Sequence, residues 1–186
     1  MVLTVHGGTG ANSIVCYTLC EPGDNVVCLL PNYQQYYAIP EAIGAADVLH
    51  ISPSHHFPTG LITPMGRRQP LLRWANEGEK WIIEDDYDSE FRFSGRPIPT
   101  LQSIDRIGCV VYMNTFSQTI SPSMRVGFMV LPPRLLERYH QELNFYSCTV
   151  PTFMQFVLTE LINNGDFERH INRVRRNKRK ELTQQK

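Results

Sequence analysis

A short apolar run leads directly into hydrogen-bonding side chains in the segment Trp81-Ile82-Ile83-Glu84-Asp85-Asp86-Tyr87-Asp88-Ser89-Glu90-Phe91-Arg92. Its three apolar residues are typical of a strand that is buried on both faces, as in parallel sheets covered by helices. Acidic side chains directly after such a strand cost free energy unless they bind a ligand or satisfy one another. The segment therefore predicts a buried strand whose carboxyl end carries a ligand-binding loop.

Apolar runs of the same kind recur along the chain, and helical patterns separate them. We predict further strands at residues 25–30, 48–52, 107–113 and 126–131. We predict helices at residues 12–19, 34–43 and 67–75, and two or three helices from residue 133 onward, with breaks near Pro151 and Gly165. This alternation predicts an α/β fold, a three-layer αβα arrangement with a mainly parallel sheet covered on both faces.

The composition is that of a globular protein with a substantial core. The 186 residues are 42% hydrophobic and 19% charged, with 18 basic and 18 acidic side chains, which excludes a disordered chain. No apolar run reaches the ~20 residues of a membrane helix, and the N-terminus lacks the pattern of a signal peptide. The absence of C-x-x-C spacing predicts reduced, mostly buried thiols in a cytoplasmic protein. The cysteines are Cys16, Cys20, Cys28, Cys109 and Cys148.

The charge is balanced overall but is divided into local runs. Residues 77–90 contain seven acids against the single base Lys80, and residues 169–180 are strongly basic. The basic run is either a nucleic-acid patch or the solvated face of a surface helix. Because no aromatic residue follows Phe167 to stack on bases, we favour the solvated face and expect no direct nucleic-acid binding by this segment.

A glycine-rich loop precedes the first predicted helix, in the segment His6-Gly7-Gly8-Thr9-Gly10-Ala11-Asn12. Glycines let backbone N–H groups approach an anion, and a helix N-terminus favours negative charge, so a phosphate fits here. The spacing is neither that of a Walker loop nor G-x-G-x-x-G, which disfavours a nucleoside triphosphate or a dinucleotide. A tight turn without a ligand remains the alternative.

The acids after the central strand admit two kinds of ligand. Paired carboxylates can bind a metal, but the nearby His55 and His56 are adjacent and point in opposite directions in an extended loop, so we expect no metal site. A carboxylate at this position can instead hold a protonated heteroaromatic nitrogen.

A third loop carries hydroxyl groups and an arginine, in the segment Thr115-Phe116-Ser117-Gln118-Thr119-Ile120-Ser121-Pro122-Ser123-Met124-Arg125. Hydroxyls and a guanidinium are natural phosphate ligands and, with the glycine loop, can converge on one phosphate. The alternative is an ordinary Ser/Thr-rich loop with a structural arginine.

Taken in order, these motifs resemble the fold-type-I pyridoxal-phosphate aminotransferases of class I/II. The resemblance is closest to the aminotransferase-like domain of MocR-type transcriptional regulators and runs over residues 48–182. It rests on residues 52–60 (SPSHHFPTG), residues 84–92 (EDDYDSEFR), Thr115-Phe116-Ser117, Ser121-Pro122-Ser123 and Arg125-Val126-Gly127. The earlier Gly7-Gly8-Thr9-Gly10 and Pro31-Asn32-Tyr33 look like the same superfamily.

The resemblance implies pyridoxal 5′-phosphate as the cofactor and implies a role for each matched residue. The cofactor phosphate is implied to lie between the glycine loop and the hydroxyl loop, with the ligands Gly8, Thr9, Gly10, Thr115, Ser117 and Arg125. Tyr33 is implied to stack on the pyridine ring, Asp85 to pair with its protonated nitrogen and Tyr87 to bind its phenolic oxygen.

The chain departs from the family pattern at Gln118. The family has here the lysine that forms the Schiff base with the cofactor and moves the substrate proton. A glutamine amide is neither nucleophilic nor basic, and the chain's lysines, Lys80, Lys178, Lys180 and Lys186, all lie outside the matched motif. We therefore expect weak or no transaminase activity.

The length implies an incomplete aminotransferase unit. We predict a cofactor-binding large domain at residues 1–150, with one βα unit of the family missing near residues 44–48, and a helical extension at residues 151–186 towards an absent small domain. The small domain of the family supplies the arginine that binds the substrate carboxylate. We expect the regulator interpretation to apply to an effector module, because the 186 residues contain no segment that resembles a DNA-binding helix-turn-helix.

Three functions remain open from the sequence. The first is a pyridoxal-phosphate-binding domain with weak or lost catalysis, which binds an amino acid or amine. The second is a fragment or lysine-replaced form of a working aminotransferase, and the third is a non-catalytic effector or interaction module. The origin of Gln118 distinguishes the first function from the second. The missing βα unit leaves the third function open, because a sheet without it can have a distorted phosphate loop. A homodimer without membrane attachment is expected from the resemblance.

Overall fold

The computed structural model describes residues 1–20, 24–28, 45–78, 80–88, 90, 98–143 and 145–184. The strands in these residues are β1 (Val2–Val5), β2 (Asp24–Cys28), β3 (Ala45–Ile51), β4 (Trp81–Asp85), β5 (Val110–Thr115) and β6 (Gly127–Val130). The helices are α1 (Gly7–Leu19), α2 (Met65–Glu77), α3 (Leu101–Ile104), α4 (Pro133–Leu143), α5 (Thr152–Asn163) and α6 (Asp166–Gln184). A short 3₁₀ turn, Pro122–Met124, precedes β6.

The described strands form one sheet in the order β1-β6-β5-β4-β3-β2. Strands β2, β3, β4 and β5 pair in parallel, whereas β6 is antiparallel to both β5 and β1. The α/β class and the mainly parallel sheet are therefore confirmed. The antiparallel strand arises because the loop after β5 returns the chain alongside it.

This topology brings the ends of several strands to one edge of the sheet. Gly127, the first residue of β6, is paired with the last residues of β1 and β5, Val5 and Thr115. The neighbouring β4 ends at Asp85, which is paired with Met113. The loops that follow β1, β3, β4 and β5 therefore meet the segment that precedes β6.

Helices cover both faces of the sheet. On one face α1 and α4 pack on a cluster that includes Val15, Ile83 and Met129. On the other face α2 and α3 pack on residues such as Leu49 and Ile82. Neighbouring residues of β4 thus point to opposite layers, as the pleat requires. The three-layer αβα arrangement is confirmed.

A third cluster joins α5 and α6 to the loop after β5. Phe116 of that loop is buried and contacts the ring of Phe167 edge to face, with the ring centroids 5.6 Å apart. Leu158 of α5 and Val126 complete its core. The two last helices are therefore packed against the segment that carries residues 116–120.

The structure corrects several predicted element bounds. The first helix begins at Gly7 rather than at residue 12, so the glycines form its first turn instead of a preceding loop. The strand Val2–Val5 was not predicted at all. Helix α2 begins at Met65 rather than at residue 67, and Pro70 therefore lies inside the helix instead of in its first turn, where a start at residue 67 would place it. The predicted helix at residues 34–43 and the end of the strand predicted at 25–30 lie outside the described residues.

Three of the four cysteines whose burial is described, Cys16, Cys20 and Cys109, are buried, and Cys148 is exposed. Within the described ranges, no helix is both long and apolar enough to cross a membrane.

Candidate functional site

A cavity of about 340 Å³ opens where the strand ends meet. It is lined by Gly8, Thr9, Phe57, Asp85, Tyr87, Thr115, Ser117, Gln118 and Arg125. The sequence patterns and the family resemblance predict eight of these residues as site residues and assign no role to Phe57. Gly10 lies in the same helical turn as Gly8 and Thr9 but outside the lining, and Tyr33 lies outside the described residues.

The N-terminus of α1 forms one side of the cavity. His6, the residue before the helix, makes no side-chain capping hydrogen bond to the first turn. The first N–H groups of a helix lack intrahelical acceptors and carry partial positive charge. Gly8 has no side chain to screen them, so this turn can receive an anion at close range.

Arg125 reaches across to the same helix start. A Cβ built on Gly7 would lie 3.1 Å from Arg125 Nη2 and 3.3 Å from its Cζ, so the guanidinium occupies the space that a side chain there would need. Both residues have positive φ, +68° for Gly7 and 49° for Arg125. Gly127 also has no room for a side chain, because a Cβ built on it would lie 2.8 Å from the carbonyl oxygen of Asn114.

Two hydroxyl groups from the end of β5 face the arginine side of the cavity. Thr115 Oγ1 lies 3.1 Å from Ser117 Oγ and accepts a hydrogen bond from the Ser117 backbone N–H at 3.2 Å. These contacts hold Ser117 in a tight turn directly after the strand. Together with Arg125 and the start of α1, the hydroxyls form a donor set suited to a phosphate.

Asp85 and Tyr87 supply the other side of the cavity. Asp85 ends β4 and is 2% exposed, whereas Tyr87 is half-buried in the loop that follows. Burial, with Asp88 and Asp85 nearby, raises the pKa of the Tyr87 phenol. The phenol therefore keeps its proton at neutral pH and can donate a hydrogen bond.

His55 lies beside Tyr87 at this side of the cavity, a contact that the sequence did not predict. Its Nδ1 is paired with Asp88 Oδ2 and lies 3.5 Å from the Tyr87 hydroxyl, and the two rings are stacked with centroids 6.2 Å apart. His56 turns away and contacts Thr59 Oγ1 instead. Opposite directions for the two histidines were predicted, but the Asp88 contact joins residues 33 positions apart and left no local signal.

The remaining acids of the loop form a separate polar network behind the strand ends. Tyr112 donates to Asp86 Oδ2 at 3.0 Å, and Asn114 donates to Tyr112 Oη and to Glu90 Oε1. Burial is the main cause that raises the pKa of Glu90, with Asp86 adding to it. The network satisfies one oxygen of each acid, whereas Asp86 Oδ1 and Glu90 Oε2 are buried without a hydrogen-bond partner among the described residues, so mutual satisfaction of the acidic run is only partial.

Glu84 has a structural role. Its two carboxylate oxygens accept the backbone N–H groups of Leu101 and Gln102 at 2.8 and 2.9 Å, and Arg68 lies 3.8 Å away. Arg68 is fully buried and donates to the carbonyl groups of Thr63, Pro99 and Pro53. Burial raises the pKa of Glu84 to about 7, although both N–H groups and Arg68 oppose the shift.

Gln118 projects from the turn after Ser117 and is exposed to the cavity. The turn fixes its position, because Phe116 and Thr119, which flank Ser117 and Gln118, are both buried. Among the described residues, no group of three or more His, Cys, Asp or Glu side chains could hold a metal ion.

The chain is similar to bacterial regulators and to an aminotransferase. It is 45% identical over 134 residues to the HTH-type transcriptional regulator YdeL of Bacillus subtilis, covering 72% of this chain and 29% of the relative. It is 39% identical over 129 residues to the probable rhizopine catabolism regulatory protein MocR of Rhizobium meliloti, and the alignment covers 69% of this chain and 26% of the relative. It is 26% identical over 204 aligned positions to the aromatic-amino-acid aminotransferase 1 of Thermococcus litoralis, and the alignment covers 93% of this chain and 49% of that enzyme.

Solved structures give the same picture of the fold. The kynurenine aminotransferase of Pyrococcus horikoshii superimposes with a TM-score of 0.81 at 25% identity, covering 94% of this chain and 51% of that one. The structure of LysN, the α-aminoadipate aminotransferase of Thermus thermophilus, was solved with N-(5′-phosphopyridoxyl)-L-leucine. It superimposes with a TM-score of 0.80 at 27% identity, covering 94% of this chain and 52% of that one. No model of a protein family matches the chain.

The chain spans under a third of the regulators' length and about half that of the aminotransferases. Its alignment with the Thermococcus enzyme, 204 positions, is longer than the chain's own 186 residues, so that relative has residues without a counterpart here. The sheet, its helical layers and the sequence similarity agree: the chain is a homologue of the aminotransferase-like part of MocR-type regulators and of the fold-type-I pyridoxal-phosphate aminotransferases.

Proposed function

We propose that the chain is a pyridoxal-phosphate-binding effector domain with little or no transaminase activity. The observation that carries this proposal is the convergence on one cavity of the predicted phosphate and pyridine ligands, with Gln118 among them. The homology supports the cofactor, since the structural relatives are pyridoxal-phosphate enzymes.

The donor set fits the phosphate of this cofactor. The uncapped start of α1 offers backbone N–H groups, and Arg125 lies against Gly7 at the same helix start. Ser117 adds a hydroxyl donor directly after β5, and Thr115 orients it by donating to Ser117 Oγ. A dianionic phosphate thus meets a helix N-terminus, a guanidinium and a hydroxyl, which are its preferred protein partners.

The opposite side of the cavity fits a protonated pyridine ring. Asp85 is a buried carboxylate at the end of β4, and burial makes a nearby positive charge its favoured partner. Tyr87 carries a protonated phenol that can donate to an oxygen substituent on the ring. Bound pyridoxal phosphate supplies an aldehyde for amines and an electron-accepting ring.

Gln118 limits what the domain does with an amine. Its amide cannot attack the cofactor aldehyde and cannot accept a proton at neutral pH, so the chain offers neither function at this position. Binding of an amino acid or amine without efficient turnover is the behaviour of a sensor. We therefore assign the domain to ligand detection rather than to metabolism.

We also propose that the domain acts as a cytoplasmic homodimer and does not itself contact DNA. Large apolar side chains on α5 support a second copy as partner, because Phe153 and Phe156 are 73% and 67% exposed. The basic residues of α6 lie on a surface helix without interleaved aromatic side chains, as a solvated face requires.

The direct test is a titration of the chain with pyridoxal phosphate, followed by borohydride reduction and mass spectrometry. We expect saturable binding and no covalent mass on the peptide that contains Gln118. The variant Gln118→Lys should gain a borohydride-trapped adduct at residue 118, because a lysine there can attack the cofactor aldehyde. A folded wild-type chain that binds no pyridoxal phosphate contradicts the proposal, as does an adduct on Gln118.

The arginine provides a quantitative control. Loss of a charge-assisted contact to phosphate in Arg125→Ala should weaken binding about 10- to 100-fold. Arg106, an exposed arginine in the turn before β5, is a matched control because it lies at the amino end of that strand. Arg106→Ala should leave the affinity unchanged, and equal losses in both variants would refute a specific phosphate site.

A further inference from the structure

His170 of α6 contacts the turn that carries Gln118. Its Nε2 lies 2.8 Å from the backbone carbonyl oxygen of Thr119, the residue directly after Gln118. Its other ring nitrogen, Nδ1, lies 3.1 Å from Nη2 of Arg173. The imidazole thus bridges a helix and a turn that are 51 residues apart in sequence.

The two partners determine the protonation of this imidazole. A carbonyl oxygen can only accept, so Nε2 must carry a hydrogen and donate it to Thr119. A guanidinium can only donate, so Nδ1 must be unprotonated and accept from Arg173. His170 is therefore a neutral Nε2–H tautomer, oriented from both sides.

The contact lies where it can influence residue 118. Residues 116–120 form one turn, closed by the hydrogen bond from Ile120 N–H to the carbonyl oxygen of Phe116 at 2.9 Å. Thr119 is 2% exposed, so in the folded chain its carbonyl is bonded to the histidine rather than to bulk water. Gln118 is the exposed member of this turn and projects into the cofactor cavity.

We propose that His170, oriented by Arg173, is a positioning residue for the 116–120 turn and thereby sets where the side chain of residue 118 meets the ligand. The α6 helix then acts on the cavity through the Thr119 carbonyl without touching the ligand. The effect on ligand binding rests on the proposed function, whereas the effect on the turn does not.

The test compares His170→Ala, His170→Gln and Arg176→Ala by amide hydrogen exchange and by pyridoxal-phosphate titration. Loss of the Thr119 contact in His170→Ala should accelerate exchange of the Ile120 amide about threefold to tenfold and weaken pyridoxal-phosphate binding by a similar factor. In His170→Gln the side-chain N–H can still donate to Thr119, so both quantities should return to within about twofold of wild type.

Arg176 is the matched control, because it lies on the same helix and lines the same groove as His170. Within the described part of the chain, no hydrogen bond joins it to the turn, and Arg176→Ala should change neither quantity. Unchanged Ile120 exchange in His170→Ala, or an acceleration spread evenly over all amides, overturns the positioning role. Changed exchange without any pyridoxal-phosphate binding in the wild type would instead reject the proposed function and keep the positioning role.

Discussion

Gly7 stands where β1 turns into α1, and its backbone and its surroundings both require glycine. Its φ of +68° is unfavourable for residues with a Cβ, and a Cβ would contact the Arg125 guanidinium at 3.1 Å. We predict that Gly7→Ala lowers the free energy of unfolding by about 1–2 kcal/mol and displaces Arg125 from the helix start. Denaturant unfolding and a phosphate-affinity measurement check the two effects.

Gly8 is the matched control for this prediction. It is the next residue, has no positive φ, and nothing lies within 4 Å of a Cβ built on it. Alanine is a better helix former than glycine by about 1 kcal/mol, so Gly8→Ala should leave stability unchanged or raise it slightly. Equal destabilisation by the two substitutions would show that the first turn of α1 does not have this geometry.

Individual residues of the site were predictable to different degrees. Asp85 and Arg125 belong to motifs that follow or precede strands, and strand ends meet at one edge in a parallel sheet. The contact of His55 with Asp88 and that of His170 with Thr119 join distant segments. Such pairs leave no spacing signal in one sequence, because only the packed fold determines which loops meet.

At the scale of elements, the misplaced bounds have local causes. Glycines are poor helix formers, so the run from Gly7 to Gly10 favours a turn when it is read alone. In the structure it begins α1, because β1 and β6 hold the preceding residues in place. Strand Val2–Val5 is only four residues long, and its pairing with β6 rather than its own pattern makes it a strand.

The acid–base pair beneath α3 gives a prediction for an element. Glu84 accepts the first N–H groups of this helix and faces the buried Arg68. Glu84→Ala leaves Arg68 without its carboxylate and two N–H groups without acceptors. Above pH 7, where Glu84 is ionised, we expect the free energy of unfolding to fall by about 3–5 kcal/mol, the usual cost of breaking a buried pair.

A second group at the same helix start separates the loss of a cap from the loss of the pair. Thr100 accepts from the Ser103 N–H with its side chain at 3.0 Å and is not buried. Thr100→Ala should cost only about 1 kcal/mol, the typical value for an N-cap. Equal losses for Glu84→Ala and Thr100→Ala, measured by denaturant unfolding, would mean that the Arg68 pair contributes nothing.

At the scale of the whole molecule, the sheet is continuous although the sequence implies a missing βα unit near residues 44–48. Strand β2 pairs in parallel with β3, and Val26 is in register with Val48. The cavity lies at the ends of β1, β4 and β5, and β3 separates the nearest of these strands, β4, from β2. The predicted absence of a βα unit is therefore compatible with the observed arrangement of the loops after β1, β4 and β5.

The stability of the whole molecule should depend on pH through two buried groups with opposite effects. Burial lowers the pKa of His50 from 6.5 to about 3, so the unfolded chain binds the extra proton between these values. Stability from His50 is therefore complete above pH 6.5 and is lost as the pH falls towards 3. Burial raises the pKa of Glu84 from 4.5 to about 7, so its contribution is complete below pH 4.5 and is lost as the pH rises to 7.

Between pH 4.5 and 6.5 the two effects oppose each other, and we predict a nearly flat contribution from this pair. Each group alone has a slope of about 1.4 kcal/mol per pH unit. In Glu84→Gln the free energy of unfolding should rise with pH up to 6.5, and in His50→Leu it should fall with pH from 4.5 to 7. His140→Gln, at an exposed histidine, is the control and should follow the wild type.

Denaturant unfolding across this pH range measures the free energy of unfolding of all four proteins. Parallel curves for the wild type and both buried variants would contradict the prediction. Opposite slopes in the two variants are the outcome expected when burial holds the His50 imidazole neutral and the Glu84 carboxyl protonated between pH 4.5 and 6.5.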